Sequence, residues 1–329
     1  MKHTMPWLWA VFLSFWGCAA ESPSEAVTYT ERWELLGVTA EGSVIDARVT
    51  VGNTGILRGQ GRIEVDQWPL AGEPIRYVRW SAPTATERAP DGRSVTLDTD
   101  LLRGSGDRLE QWHLRARSDE ANAVLQVAGR GQAIPPQTES VGGGEWSVGA
   151  PVASGVLQGW TEAGERGGKV YGMGMVLHRG GDGRPGSARR GLYVLSKDLS
   201  LGVDEQGPVR LVWGTLNGRP LDLSAASITY ASGVVGIDLR PAEELALAFE
   251  LSTAGGETDR TVGWSPPERW AMTAIGGRPP RRVYGGQIIV LAGELPLQSR
   301  RGLVVWTDDR PLAVPDRPLE APRRSRRRL

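Results

Sequence analysis

The sequence predicts an all-β protein of two antiparallel, barrel-like domains in tandem, on three observations. Apolar and polar residues alternate along short runs separated by turn residues, the period of strands half buried on a sheet face. No convincing amphipathic helix interrupts these runs. The stretch Leu157 to Gly181, LQGWTEAGERGGKVYGMGMVLHRGG, reads as two strands round a polar turn and has a faint copy in LLGVTAEGSVIDARVTVGNTG at Leu35 to Gly55. Leu35, Gly37, Thr39 and Gly42 match Leu157, Gly159, Thr161 and Gly164, which suggests two similar halves.

Residues 1–20 read as an export signal: Lys2, an apolar run from Trp7 to Trp16, then small residues. The run is too short to span a bilayer. Gly17-Cys18 resembles the end of a bacterial lipobox, whereas Cys18-Ala19-Ala20 also satisfies ordinary signal cleavage. The lipoprotein reading is preferred because Cys18 is the only cysteine, and an exported protein has no structural use for an unpaired thiol. It implies a lipid anchor in the cell envelope, and Ala19 after the cysteine points to the outer membrane. Ordinary cleavage would leave a periplasmic or secreted chain.

What remains, about 300 residues, suits two domains. Lys+Arg and Asp+Glu are equal at 38 each, so no overall field draws the protein to nucleic acid. The first domain, 27–130, begins with Arg32 to Val38 and continues into SVIDARVTV, where Ile45, Ala47, Val49 and Val51 oppose Asp46, Arg48 and Thr50. Further strands follow at Gln60 to Asp66, Ile75 to Ala82, Arg93 to Leu101, Leu109 to Arg117 and Ala123 to Ala128. Residues 131–145, with Pro135-Pro136 and Gly142 to Gly144, supply few ladder donors or buried side chains and read as a linker.

The second domain, 146–308, has strands at Ala153 to Glu162, Lys169 to Arg179, Leu192 to Lys197, Val209 to Leu216, Leu221 to Tyr230, Val234 to Leu239, Arg282 to Ala292 and Gly302 to Thr307. Asn217-Gly218 is a hairpin signal. Ala242 to Leu251 has helical composition, but the near alternation of Leu245, Leu247, Phe249 and Leu251 favours a strand. Residues 309–329, rich in Pro and Arg, read as a disordered tail.

WELLGVTAEGSVIDARVTVGNTG, followed after a Gly-rich linker by a strand leading into YGMGMVLHRGG, resembles the tandem lipocalin-like superfamily that includes carotenoid 1,2-hydratases, AttH-like and Svf1-like proteins. The resemblance implies two lipocalin-like barrels and an apolar lipid or isoprenoid ligand. That family's second-domain signature is a Gly-led segment with closely spaced His and Asp followed by Trp-Gly. Gly174, His178 and Gly181 answer to it, while Val176, Leu177 and Gly180 occupy the places of other members, so the signature is degenerate.

Outside the signal the chain has two histidines, His113 and His178. Hydration of an alkene needs an acid to protonate carbon and a base to activate water, and His178 with Asp182 or Asp198 is the minimal set on offer. So few His and Cys make a metal site improbable, no cofactor is implied, and no G-x-S-x-G elbow is present. Apolar ligand contacts are best sought at Trp160, Tyr171, Met173 and Met175. Tyr171, Met173, Met175 and Leu177 share one strand face and Gly172, Gly174, Val176 and His178 the other. Met is the residue that best fills irregular apolar space. Three classes stay open: an envelope lipoprotein that binds or chaperones an apolar molecule, a hydratase-like enzyme, and a structural or protein-interaction β domain. If Cys18 carries lipid, the mature protein partitions with membranes and gains diacylglyceryl mass, and Cys18→Ser abolishes both. A soluble chain beginning at Glu21 rejects lipidation.

Overall fold

The computed structural model describes residues 29–52, 60–69, 71–89, 93–106, 110–130, 133–183, 189–195, 199–206, 208–216, 219–221, 223, 227–231, 234–240, 245–258, 281–292 and 303–308, with side chains up to Leu223. Residues 1–20 with Cys18, residues 309–329, Asp198 and the Asn217-Gly218 pair lie outside them. Antiparallel strands in two sheets account for nearly all of the described chain, the all-β lipocalin-like architecture.

The first sheet starts as a meander of β1 (Thr30–Thr39), β2 (Val44–Gly52), β3 (Gln60–Trp68) and β4 (Ile75–Ser81). A 3-10 turn, Pro83–Ala85, leads to β5 (Thr86–Arg88), β6 (Ser94–Leu97), β7 (Asp100–Ser105), β8 (Gln111–Arg117) and β9 (Ala121–Gly129). Two long strands, β11 (Gly144–Ala163) and β12 (Arg166–Gly181), complete it, in the order β4-β3-β2-β1-β12-β11-β9-β8-β7-β6-β5. This sheet curls into a nearly closed barrel. Across its seam the Tyr77 hydroxyl donates to Asp100 at 2.6 Å, and Arg79 pairs with Asp98.

Two expectations are corrected here. The span 131–145 is not a linker: β10 (Ile134–Val141) pairs antiparallel with the first half of β11. Its prolines are tolerated because only one edge of the strand is paired in the ladder and the register shifts between Ile134 and Gln137. The stretch expected to open a second domain, β11 with β12, instead closes the first barrel, because β12 pairs with β1 along ten residues, Thr30 with Gly181 through Thr39 with Gly172. The two similar hairpins, β1–β2 and β11–β12, are therefore neighbours in one sheet.

The second sheet runs β16-β15-β14-β13-β21-β20-β19-β18-β17. Its strands are β13 (Arg189–Leu195), β14 (Leu199–Gln206), β15 (Val209–Leu216), β16 (Arg219–Pro220), β17 (Ser227–Ala231), β18 (Val234–Arg240), β19 (Leu245–Thr258), β20 (Arg281–Ala292) and β21 (Leu303–Asp308). Alternation prevails over helical composition in β19, as expected. The topology repeats the first sheet, since a four-strand meander has its first strand paired with the last strand of the unit.

Alternation along β1, β2 and β12 splits two cores. Trp33, Leu35, Ile45, Ala47, Val49 and Val176 point into the first barrel, with Trp112, Leu114 and Leu125 from the opposite wall. Leu36, Val38, Met175 and Leu177 point outward against Tyr193, Leu195, Leu211 and Trp213 of the second sheet. Register shifts in β11 between Gly149 and Val152 and between Val152 and Gly155 let Val152 join the inner core and Ala153 the outer one.

Because the second sheet covers the outer face, its polar residues are buried too. Arg48 sits 2.9 Å from Asp66 and 3.3 Å from Glu64, and Arg62 is 2.8 Å from Glu64. Burial alone would raise the Glu64 carboxyl, but Arg48, Arg62, Arg32 and Arg76 outweigh it and hold it below its ordinary value. Nearer the centre, Arg179 of β12 bonds Glu34 of β1 at 2.7 Å and Asp204 of β14, while the Tyr193 hydroxyl also donates to Asp204. This group ties the sheets together. Removing the cation alone strands two buried carboxylates, so Arg179→Met should cost about 3–5 kcal/mol in denaturant unfolding. A triple replacement of Glu34, Arg179 and Asp204 by apolar residues should recover most of that loss.

Candidate functional site

At the end of the first barrel where β1 begins, Glu31 and Trp33 share the inward face of β1, and His178 lies opposite Trp33 in the ladder. The rings stack, with centroids 4.9 Å apart and planes 15° from parallel. Glu31 lies opposite Gly180, and a Cβ there would come within 3.2 Å of the Glu31 Cγ, so the glycine leaves room for the carboxylate. His178 Nε2 meets Glu31 Oε1 at 2.7 Å. Arg88 of β5 grips the same carboxylate through Nε to Oε2 and Nη2 to Oε1, the latter at 3.1 Å, and the Tyr29 hydroxyl donates to Oε2.

Four donors thus converge on a carboxylate only 1% exposed. Burial pushes the Glu31 carboxyl up, but the bonds from His178, Arg88 and Tyr29 prevail, and it falls below its ordinary value. Burial, and then the bond to Glu31, pushes the Tyr29 phenol up, so it stays a donor. The His178 side chain is 28% exposed. Its Nδ1 has no hydrogen-bond partner among the described residues. The Trp33 indole N–H is likewise buried and unpartnered among them.

The other residues singled out from the sequence are elsewhere. Asp182 is exposed and accepts the Glu145 N–H at 2.8 Å, so it shapes the β10–β11 turn and does not reach His178. His113 is exposed on β8. Tyr171, Met173 and Met175 do share a face, but Met175 is fully buried among the residues between the sheets, Met173 packs on the edge of that cluster, and Tyr171 is 58% exposed. Trp160 is half-buried on the outward face of β11. Sequence reading missed Glu31, Arg88 and Tyr29. The signal lay in TYTERWEL, where Tyr29, Glu31 and Trp33 fall on one parity and so put an acid on an inward apolar face.

At the opposite barrel end, a polar cleft of about 360 Å³ is lined by Thr39, Glu41, Gln67, Glu73, Arg166 and Lys169. Glu73 and Arg166 are paired across it at 3.3 Å. Among the described residues no cluster of His, Cys, Asp or Glu could hold a metal ion, and no helix is long and apolar enough to cross a membrane.

No family model and no curated protein matches the sequence. Solved structures do resemble it. CghA with Sch210972 superposes with a TM-score of 0.58 at 10% identity, covering 86% of this chain and 88% of that one. A protein assigned as an AttH from Nitrosomonas europaea gives a TM-score of 0.53 at 12% identity over 88% of this chain and 97% of its own. CghA in a further structure gives 0.53 at 9% identity, over 86% and 87%. These likenesses define a lipocalin-like fold of the AttH type.

The Glu31 cluster sets an acid dependence. A carboxyl lowered by folding stabilises the protein above its unfolded value, about 4.3, and that contribution fades as pH falls through the folded value. Glu31→Gln should therefore be less stable than the parent at pH 7, and the difference should shrink towards pH 3 in urea titrations.

Proposed function

We propose that the protein is a cell-envelope protein, tethered through Cys18, that holds a small apolar molecule inside its second barrel. The carrying observation is the inward wall of β13–β15. Leu192, Val194, Leu201 and Val203 lie on the face opposite Tyr193 and Trp213, all fully buried, with Leu223 on the same side. The shared side is marked by Gly214, where a Cβ would meet Leu223 Cδ1 at 2.7 Å and Leu201 Cδ1 at 3.3 Å. This wall carries aliphatic side chains and no charge at those positions. The first barrel differs, since Trp33 and Trp112 fill its interior with other large side chains. CghA, a structural neighbour, is solved with Sch210972, which supports a search for a bound molecule here. The Met face is not part of this ligand wall, because Met175 and Leu177 pack the second sheet onto the first.

A hydratase-like enzyme is less well supported. Protonating an alkene carbon needs a neutral, strong acid, whereas Glu31 is held ionised and Asp182 is engaged at a turn. Incubation of the signal-free protein with lipid and carotenoid extracts, followed by mass spectrometry, should recover an apolar molecule. A charge on an apolar wall costs several kcal/mol unless neutralised, so folded Leu201→Asp should lose retention while His178→Ala keeps it. An empty wild-type protein across a broad extract would favour a purely structural role.

A further inference from the structure

We infer that His178 Nδ1 is a proton acceptor for a hydroxylic reactant, water included, at the mouth of the first barrel, with Glu31 as the residue that positions it. This site is separate from the proposed apolar-ligand barrel, because His178 and the aliphatic wall of β13–β15 belong to different sheets.

An ionised carboxylate only accepts, so the 2.7 Å contact places a proton on His178 Nε2. In neutral imidazole the other nitrogen then presents its lone pair. Two contacts fix the ring: Glu31 at Nε2 and the stacked Trp33 indole on its face. Arg88 and Tyr29 in turn fix the carboxylate. No described residue bonds Nδ1, and the ring is partly open to solvent, so the lone pair meets whatever enters the mouth. A carboxylate behind an imidazole in this way orients it and stabilises the imidazolium without itself taking the proton.

As the oxygen of water forms its bond to an electrophilic acyl carbon, the water proton passes to Nδ1. The imidazolium keeps its Nε2–H on Glu31. The leaving group departs with the electron pair of its bond to that carbon. A basic leaving group takes the proton back from Nδ1, whereas a phenolate leaves as an anion and the proton goes to solvent.

Two measurements on the intact protein test this. With 15N-labelled histidine, the wild type at high pH should show the Nε2–H tautomer for His178, and Glu31→Gln, which removes the acceptor at Nε2, should mix the tautomers. With 4-nitrophenyl acetate as probe, His178→Ala should lose at least about tenfold of the protein-dependent rate, Glu31→Gln most of it, and His113→Ala none. A wild-type Nδ1–H tautomer would overturn the assignment, even if Glu31→Gln does not fold. So would equal rates for His178→Ala and His113→Ala.

Discussion

The pairing of β1 with β12 is the contact on which the rest of the molecule depends. One antiparallel ladder, from Thr30 against Gly181 to Thr39 against Gly172, joins the start of the described chain to the far arm of the long hairpin. Through it the meander β1–β4 and the strands β5–β9 become one curled sheet. The ladder also fixes which residue looks where. Trp33 with His178 and Leu35 with Val176 face the barrel, and the next position along each strand, Glu34 with Leu177 or Leu36 with Met175, faces the second sheet. Glycine makes the fit possible. A Cβ on Gly172 would lie 2.1 Å from the Val38 carbonyl oxygen, and one on Gly37 would lie 2.8 Å from that of Met173.

Much of this was legible from period two alone. The split of Ile45, Ala47, Val49 and Val51 from Asp46, Arg48 and Thr50 is the split the structure shows, and strand rather than helix holds over Leu245–Thr258. Alternation does not say what covers the second face, however. Asp46, Arg48, Glu64 and Asp66 read as a solvated surface by type, yet they are buried because another sheet lies on them. Nor does local composition reveal pairing between distant segments. Pro135-Pro136 and the Gly142 to Gly144 run had every mark of a linker, and only the partner strand β11 makes an edge of it. The two hairpins that look alike in sequence are neighbours in one sheet, and adjacency of this kind and duplication of a domain leave the same trace in a sequence.

The candidate site was half visible for the same reason. His178 stood out as one of two histidines after residue 20. Its partner could be sought only nearby, at Asp182 or Asp198, while the carboxylate it meets is 147 residues earlier. Burial then decides the chemistry. In water Glu31 and His178 would be an ordinary pair; behind Trp33, with Arg88 and Tyr29 converging, they form a group of fixed geometry. The buried ions between the sheets follow a related logic. Arg179 with Glu34 and Asp204 adds little as attraction once desolvation is counted, but it makes any sliding of one sheet over the other expose uncompensated charge.

That sequence separation has a consequence for how the chain is made. A ribosome adds roughly 5–20 residues each second, so β1 waits on the order of ten seconds after synthesis before β12 exists to pair with it. During that interval the nascent chain carries an apolar strand whose permanent neighbour on one side has yet to emerge, and β1–β4 is a meander with an open flank. Non-local pairing of this kind also slows the search for the native state. Until β12 emerges the first sheet cannot close, whatever pairing β1–β4 have already made.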